Sequence, residues 1–280
     1  MSKLKKYSVT LVFVICLLCV FLCSSALAED ADTGAGYTET PIYFDGLLSC
    51  RGYLIGDNTY VSLEAACAVL GYDTDVYYDK EIDKLTVETA GITITAASAD
   101  RYMCANGRYI YLPDGYIEIE GSFVVPAEAL AKIFTLTLTE DTETGTIDFS
   151  TADEQILRSG DEYYNEDDLY WMSRIITWES GNQPMEGQIG VGNVILNRVG
   201  DARFGATLKE VIFQPGQFSV ATSGAIYGEP YEISVICAKL VYEGYNTVGN
   251  ALFFQTGRYW DSGMIETTWV AKIGDHNFFC

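Results

Sequence analysis

The stretch Leu169–Val199, LYWMSRIITWESGNQPMEGQIGVGNVILNRV, reads as a helix, a five-residue break and a second helix. The first helix has a start signal. Asn165 is placed to act as N-cap, with Glu166, Asp167 and Asp168 in the first turn, where carboxylates offset the helix macrodipole. Asp168 at the third position would complete a variant of the capping box. Apolar residues follow at Leu169, Met172 and Ile176, and the next position at that three-and-four spacing is Glu179. A carboxylate therefore falls on the stripe that should be buried. Desolvation raises a carboxyl pKa, and a carboxyl still protonated at neutral pH is what a general acid requires. The alternative is a helix-terminal Glu turned to water, because the pattern breaks at Ser180-Gly181-Asn182.

The second helix opens near Pro184 to Glu186, with proline suited to a first-turn position. Gly190 and Gly192 each weaken it by about 1 kcal/mol relative to alanine. Two glycines in one turn suit either a tight helix crossing or the close approach of a chain-like ligand, and both readings stay open.

Working outward, the 280 residues are 49% hydrophobic and 13% aromatic, enough for two domains with cores. Residues 1–28 have the layout of a secretory signal: Lys3, Lys5 and Lys6, an apolar run Val9–Cys23, then Ala26-Leu27-Ala28 as the cleavage site. An uncleaved anchor is the alternative, but the run is short for a membrane-spanning helix, which needs roughly 20 residues. A secreted chain starting near Glu29, with no stable membrane span after cleavage, is expected.

The formal net charge is −22, and losing the signal lysines makes it more acidic. Nucleic acids and anionic membranes are excluded as partners. Attraction to an anionic wall polymer would have to come from short-range contacts, with repulsion screened beyond about 8 Å. Three of the eight cysteines lie in the signal. Of the rest, Cys67 in AACAVL reads as a buried thiol, and Cys50 with Cys104 or Cys237 with Cys280 are possible bridges. With one histidine and no Cys–His spacing for zinc, neither a metal site nor any other cofactor is expected.

Residues 29–40 read as a flexible leader. From 41 to 151 there is an internal repeat: Thr59–Ala66, TYVSLEAA, returns as Ser122–Ala129, SFVVPAEA, each time a strand entering a short Ala-rich helix. Strand-like segments follow each helix, ending in Lys84–Glu88 and Thr146–Ser150. Tyr77, Tyr78, Tyr109 and Tyr111 could stack on sugars, although packing is the commoner use of strand tyrosines. Residues 152–166 form a polar linker. Beyond it, Leu208–Phe213 reads as helix or strand, Pro230–Tyr245 as a third helix, Ala251–Gln255 as a strand and Trp269–Phe279 as a hairpin turning at Gly274-Asp275. The expected fold class is α+β: a β-rich N-terminal repeat domain, then a helix-dominated domain over 167–280.

The N-terminal pattern resembles the domain named for the N-termini of copper amine oxidases, common in secreted wall proteins of Gram-positive bacteria. The resemblance implies a wall-binding module. The name does not imply copper, and residues 41–151 contain no histidine.

In the second half, ESGNQPMEGQ (Glu179–Gln188), IGVGNVILNRV (Ile189–Val199), VIFQPGQFS (Val211–Ser219) and IGDHNF (Ile273–Phe278) resemble, in order, the SleB-type cell wall hydrolases, which include spore cortex-lytic enzymes. The resemblance implies a lysozyme- or transglycosylase-like fold with Glu179 as catalytic acid, acting on peptidoglycan glycan strands. The bond implied is the β-1,4 link between N-acetylmuramic acid and N-acetylglucosamine. The family motif usually has Gly and Glu where this chain has Asn182 and Gln183. Gln188, Asn193 and Asn197 on the second helix are candidate substrate-binding residues, with capping or helix packing as the other reading. Gln217, Phe218 and Ser219 match the family's QFS motif and are candidates for a groove wall. His276 is assigned a supporting role behind the site. Lytic transglycosylation needs one carboxyl. Hydrolysis would need a second, from among Glu186, Asp201, Glu210 and Glu229. A non-catalytic wall- or coat-binding protein is the remaining class.

Overall fold

The computed structural model describes residues 36–257 and 268–280. The expected signal sequence and residues 29–35 of the leader lie outside them. The chain divides into two compact units, one ending at Ser159 and one running from Gly160 to Cys280.

The first unit runs β1 (Thr38–Phe44), β2 (Leu47–Ile55), β3 (Asn58–Ser62), α1 (Leu63–Val69), β4 (Thr74–Asp79), β5 (Lys84–Thr89), β6 (Ile92–Ala96), β7 (Tyr102–Ala105), β8 (Arg108–Tyr111), β9 (Ile117–Ile119), β10 (Ser122–Pro126), α2 (Ala127–Phe134), β11 (Thr137–Asp141) and β12 (Thr146–Ser150). A seven-stranded sheet has the order β11-β12-β1-β2-β3-β10-β9, and a five-stranded sheet runs β4 to β8 in sequence. The end of the expected leader is strand, because β1 already pairs with β2 at Thr38 opposite Leu54.

The sequence repeat is a structural one. The equivalent strands β3 and β10 pair antiparallel, with Val124 opposite Ser62 and Val125 opposite Val61. Each leads into its helix, and Ser62 caps α1 by accepting from the Ala65 amide at 3.2 Å. Pro126, at the matching place, has no side chain to cap with, and α2 instead ends on Thr135 in the left-handed conformation. The helices bury Leu63, Ala66 and Cys67 on one side and Leu130, Ile133 and Phe134 on the other. The four strand tyrosines are half-buried. Tyr78 donates its hydroxyl to Asp83 at 2.8 Å, and Tyr109 packs on Tyr102 with centroids 5.6 Å apart.

The second unit runs α3 (Gly160–Tyr163), α4 (Glu166–Ser180), α5 (Met185–Val199), α6 (Leu208–Ile212), α7 (Ser219–Ser223), α8 (Glu232–Tyr242), β13 (Phe253–Thr256), β14 (Trp269–Ile273) and β15 (His276–Phe279). Part of the expected 152–166 linker is therefore helix. That segment is tied down by the Tyr163 and Tyr164 hydroxyls, which donate to the Tyr242 carbonyl at 3.1 Å and to Glu243 at 2.6 Å. Asn165 caps α4, accepting from the Asp168 amide at 3.0 Å. α6 is a helix rather than a strand because Thr207 and Glu210 form a full capping box. The third helix is shorter at both ends than its sequence pattern, and α7 carried no pattern that distinguishes it from the preceding turn.

Helices α4, α5 and α8 pack around Met172, Ile176, Val191, Val194, Leu240 and Val241, all buried. Gly192 lies where the three meet: a Cβ there would be 2.7 Å from Val241 Cγ2 and 3.1 Å from Ile176 Cδ1. At Gly190 a Cβ would be 2.9 Å from both Phe278 Cζ and Val248 Cγ1. The paired glycines thus serve tight packing, and no ligand chain is needed to explain them. β15 is the centre of a three-stranded sheet ordered β13-β15-β14. No disulfide forms among the described residues, so neither bridge that the sequence allowed is made. Cys67 is fully buried as expected, and so is Cys237, whose thiol burial pushes up to about 12.

Candidate active site

Glu179 stands in the last turn of α4, between an exposed Trp178 and a buried Ser180. The turn is held by back-bonding: the Thr177 and Ser180 hydroxyls donate to the carbonyls of Ser173 and Ile176, each at 2.9 Å. Glu179 itself is half-buried. Burial raises its carboxyl above the ordinary value, and the positive charge of Arg198 works against that rise.

Arg198, near the end of α5, is only 5% exposed. Its Nε donates to the Leu252 carbonyl at 2.7 Å. The guanidinium carbon lies 4.8 Å from the centroid of Phe204, 5.3 Å from Phe218 and 5.6 Å from Phe253. Aromatic faces present negative charge to a cation and replace part of its lost hydration. Burial still brings the guanidinium down to about 10, with Glu179 opposing. Among the described residues no hydrogen bond or ion pair joins the two side chains, so the attraction acts through space.

Arg198 was not singled out in the sequence, though the signal that marked Glu179 was there. Val191, Val194 and Ile195 set the buried stripe of α5, and Arg198 is its next position.

Phe218 brings the QFS segment into this cluster: it is buried under Arg198 and stacks on Phe254 with centroids 6.4 Å apart. Gln217 and Ser219, on either side, are exposed. His276 lies behind, 5.3 Å from the Phe254 ring, 1% exposed, with no hydrogen-bond partner for Nδ1 among the described residues. Burial lowers its pKa, favouring the neutral ring, with Asp275 opposing.

The three polar residues of α5 do not stand free for a substrate. Gln188 is buried, donating to the Gln183 carbonyl at 3.1 Å and accepting from Ser234 at 2.7 Å. Asn193 donates to the Tyr245 carbonyl at 2.8 Å and accepts from the Thr247 amide at 3.0 Å. Asn197 donates to the carbonyls of Gly249 and Ala251, both at 2.9 Å. Their hydrogen bonds pin the 245–251 loop and the start of α5, which favours the helix-packing reading of these residues over sugar recognition.

The two positions where this chain leaves the family motif differ in placement. Asn182 is exposed. Gln183 is buried, donating to Asn182 Oδ1 at 3.0 Å and accepting from the Asp275 amide at 2.8 Å. Gly274 completes this contact, with φ of +57° and no room for a Cβ against Gln183 and Pro184. No cluster of three or more His, Cys, Asp or Glu able to hold a metal occurs among the described residues.

Residues 182–279 match the Cell Wall Hydrolase family model, and residues 48–149 match the Copper amine oxidase N-terminal domain. The chain is 34% identical over 119 residues to a spore cortex-lytic enzyme of Bacillus cereus, a match covering 41% of this chain and 45% of the relative. A spore cortex-lytic enzyme of Oceanobacillus iheyensis is 34% identical over 116 residues, 41% of this chain and 42% of that protein. This chain therefore spans less than half the length of these relatives. Among solved structures, the catalytic domain of the Bacillus cereus SleB protein is 32% identical, with 42% of this chain and 92% of that one covered and a TM-score of 0.39. The catalytic domain of the germination-specific lytic transglycosylase SleB from Bacillus anthracis is also 32% identical, covering 42% and 97%, with a TM-score of 0.37. The chain thus joins two recognised domains, a copper amine oxidase N-terminal domain and, after it, a cell wall hydrolase domain.

Proposed function

We propose that this protein is a secreted peptidoglycan-cleaving enzyme that cuts the N-acetylmuramic acid β-1,4-N-acetylglucosamine bond by lytic transglycosylation. Its first unit would attach it to the wall, and the names of its relatives point to spore cortex as the target. The observation that carries the reading is Glu179: a half-buried carboxyl, raised by burial, with one buried cation in range. No helix of the described residues is long and apolar enough to cross a membrane.

Protonated Glu179 gives its proton to the glycosidic oxygen as the bond to muramic C1 breaks. The carboxylate so formed faces the positive charge developing at C1. It then takes the proton of the muramic 6-hydroxyl as that oxygen closes on C1, which leaves a 1,6-anhydro end and restores the acid. Water is not consumed. Arg198 favours the carboxylate that exists between the two proton transfers, while burial favours the protonated resting group.

Hydrolysis would require a second carboxylate at a fixed separation. Three of the four candidates have partners of their own. Asp201 is paired with Arg203, which holds it down to about 2. Glu210 accepts from the Ala206 and Thr207 amides, and Glu229 lies 3.6 Å from Arg174. Glu186, in the first turn of α5, adds its charge to the side of Cys237.

Mass spectrometry of fragments released from purified cortex and vegetative peptidoglycan tests the reading. Anhydro-muramic ends, lost in Glu179→Gln, are expected. Reducing muramic ends would establish hydrolysis instead, and no release from either wall would leave a binding protein.

A further inference from the structure

Beside Glu179, α4 carries a row of exposed aromatic side chains that the mechanism above does not use. Tyr170 and Trp178 lie on one outward stripe of the helix, two turns apart with Arg174 between them. The 224–231 segment adds Tyr227 and Tyr231. Trp178 is 42% exposed, Tyr227 59% and Tyr231 57%. In the second unit the remaining exposed large hydrophobic among the described residues is Trp269 on the C-terminal hairpin. Apolar exposure in this unit is thus concentrated on α4 and on the 224–231 segment packed against its last turns, one of which carries Glu179.

The rings are fastened in place. The Tyr231 amide donates to Thr177 Oγ1 at 3.1 Å, on the turn that holds Glu179. The Tyr231 ring lies over Gly181, where a Cβ would be 2.8 Å from Cδ2 and Cε2. Gly228 has the same relation to the indole, since a Cβ there would be 2.7 Å from Trp178 Cζ2. Glu229 pairs with Arg174, whose guanidinium lies 3.7 Å from the Tyr170 centroid, and Tyr227 meets Trp171 edge-on at 5.9 Å. Each ring therefore keeps an open surface while its backbone or edge is held, so little ordering entropy remains to be lost on binding.

We propose that Trp178, Tyr231 and Tyr227 form a stacking ledge for the glycan strand, seating the pyranose rings next to the one being cut. The inference rests on the glycan-cleaving reading of Glu179. A β-1,4-linked sugar chain is a flat ribbon whose faces present C–H groups, which suit a row of aromatic faces in the way that apolar and aromatic linings suit most ligand sites. The charge balance favours the same occupant. A chain of net charge −22 repels an anionic polymer at long range, so its grip must come from contact, and uncharged rings supply it without a Coulomb penalty. The sequence of α4 and the two glycine notches bring Trp178 and Tyr231 to the end of the helix that carries Glu179.

The test uses the full chain carrying Glu179→Gln, so that ligand is not consumed, and titrates it with the β-1,4-linked hexamer of N-acetylglucosamine by calorimetry. Trp178→Ala and Tyr231→Ala are each expected to weaken binding about three- to tenfold, whereas Phe at either position stays within about twofold of the parent. Alanine variants that bind like the parent overturn the ledge. So do Phe variants that lose as much as Ala, and a parent that does not bind. With Glu179 intact on purified peptidoglycan, cleavage with an unchanged KM in Trp178→Ala would sink the ledge and leave the catalytic reading standing. No cleavage, with the hexamer pattern intact, would do the reverse.

Discussion

Gln183 Oε1 accepts a hydrogen bond from the Asp275 amide at 2.8 Å, joining the loop after Glu179 to the C-terminal hairpin across 92 positions of sequence. This is one of the two places where the chain departs from the family motif. Glutamate, the residue usual there, would offer the same acceptor, so the change to glutamine keeps the bond. It also adds a donor, used on Asn182. The departure reads as a change in how the loop is fastened and leaves the acid untouched.

Gln183→Glu should therefore retain activity at a modest cost in stability, since it keeps the acceptor, forfeits the Asn182 contact and brings a buried carboxylate near Asp275. Gln183→Ala leaves the part-buried Asp275 amide without its side-chain partner and should cost about 1 kcal/mol. Chemical denaturation of both variants beside the parent checks this. Equal stability of the alanine variant would mean that the bond is not what holds the hairpin.

Arg198 should set the pH range of catalysis. In the proposed mechanism Glu179 acts first as an acid, so activity should fall as pH rises through its pKa, which burial holds above the ordinary carboxyl value of 4.5. Arg198 pulls that pKa down. Replacing it with methionine removes the pull, so the alkaline limb of the pH–rate profile should move to higher pH. Lysine should keep the limb nearer its parental place. A merely structural loss would lower the rate at every pH and leave the limb where it was. The second half of the reaction, which needs the carboxylate, should slow at the same time.

Gly192→Ala gains about 1 kcal/mol of intrinsic helix preference and should nevertheless destabilise the protein. Its new methyl would stand 2.7 Å from Val241 Cγ2 and 3.1 Å from Ile176 Cδ1, on the buried faces of α8 and α4. Overpacking of this kind costs about 1–3 kcal/mol. A thermal melt that rises instead would show that the helices can part at no cost, contrary to the packing described.

The helices were legible in the sequence because each sets its own pattern. The Asn165 cap, the apolar spacing that leads to Glu179 and the hairpin turn at Gly274 are local, and they stand where the sequence places them. The N-terminal repeat was legible too, but the pairing of β3 with β10 and of β12 with β1 is set by contacts between distant segments. The roles of Gln188, Asn193 and Asn197 stayed open in the sequence for the same reason. Their partners Ser234, Tyr245, Thr247, Gly249 and Ala251 lie 46 to 54 positions away, and no spacing within α5 reveals that the capacity is already used. Arg198 could have been found, since a charge on a buried stripe carries the same message whichever its sign.

His276 should make the second unit lose stability in mild acid. Its ring is enclosed by Phe254 and Phe278, with centroids 5.3 and 6.1 Å away, and burial lowers its pKa below the ordinary 6.5, with the neighbouring Asp275 opposing. A histidine whose folded pKa is depressed binds its proton more readily when unfolded. Above pH 6.5 it makes no difference. As pH falls below 6.5 the unfolded state takes up the proton first, and stability drops until the folded pKa is passed. Carboxylates paired in the fold lose their contributions at lower pH still, so the comparison must be with a variant. His276→Phe keeps an aromatic ring in the cluster and removes the titration. Its denaturation midpoint should stay level between pH 7 and pH 5.5, where the parent's declines. Parallel declines in the two proteins would place the acid sensitivity elsewhere and leave His276 without this role.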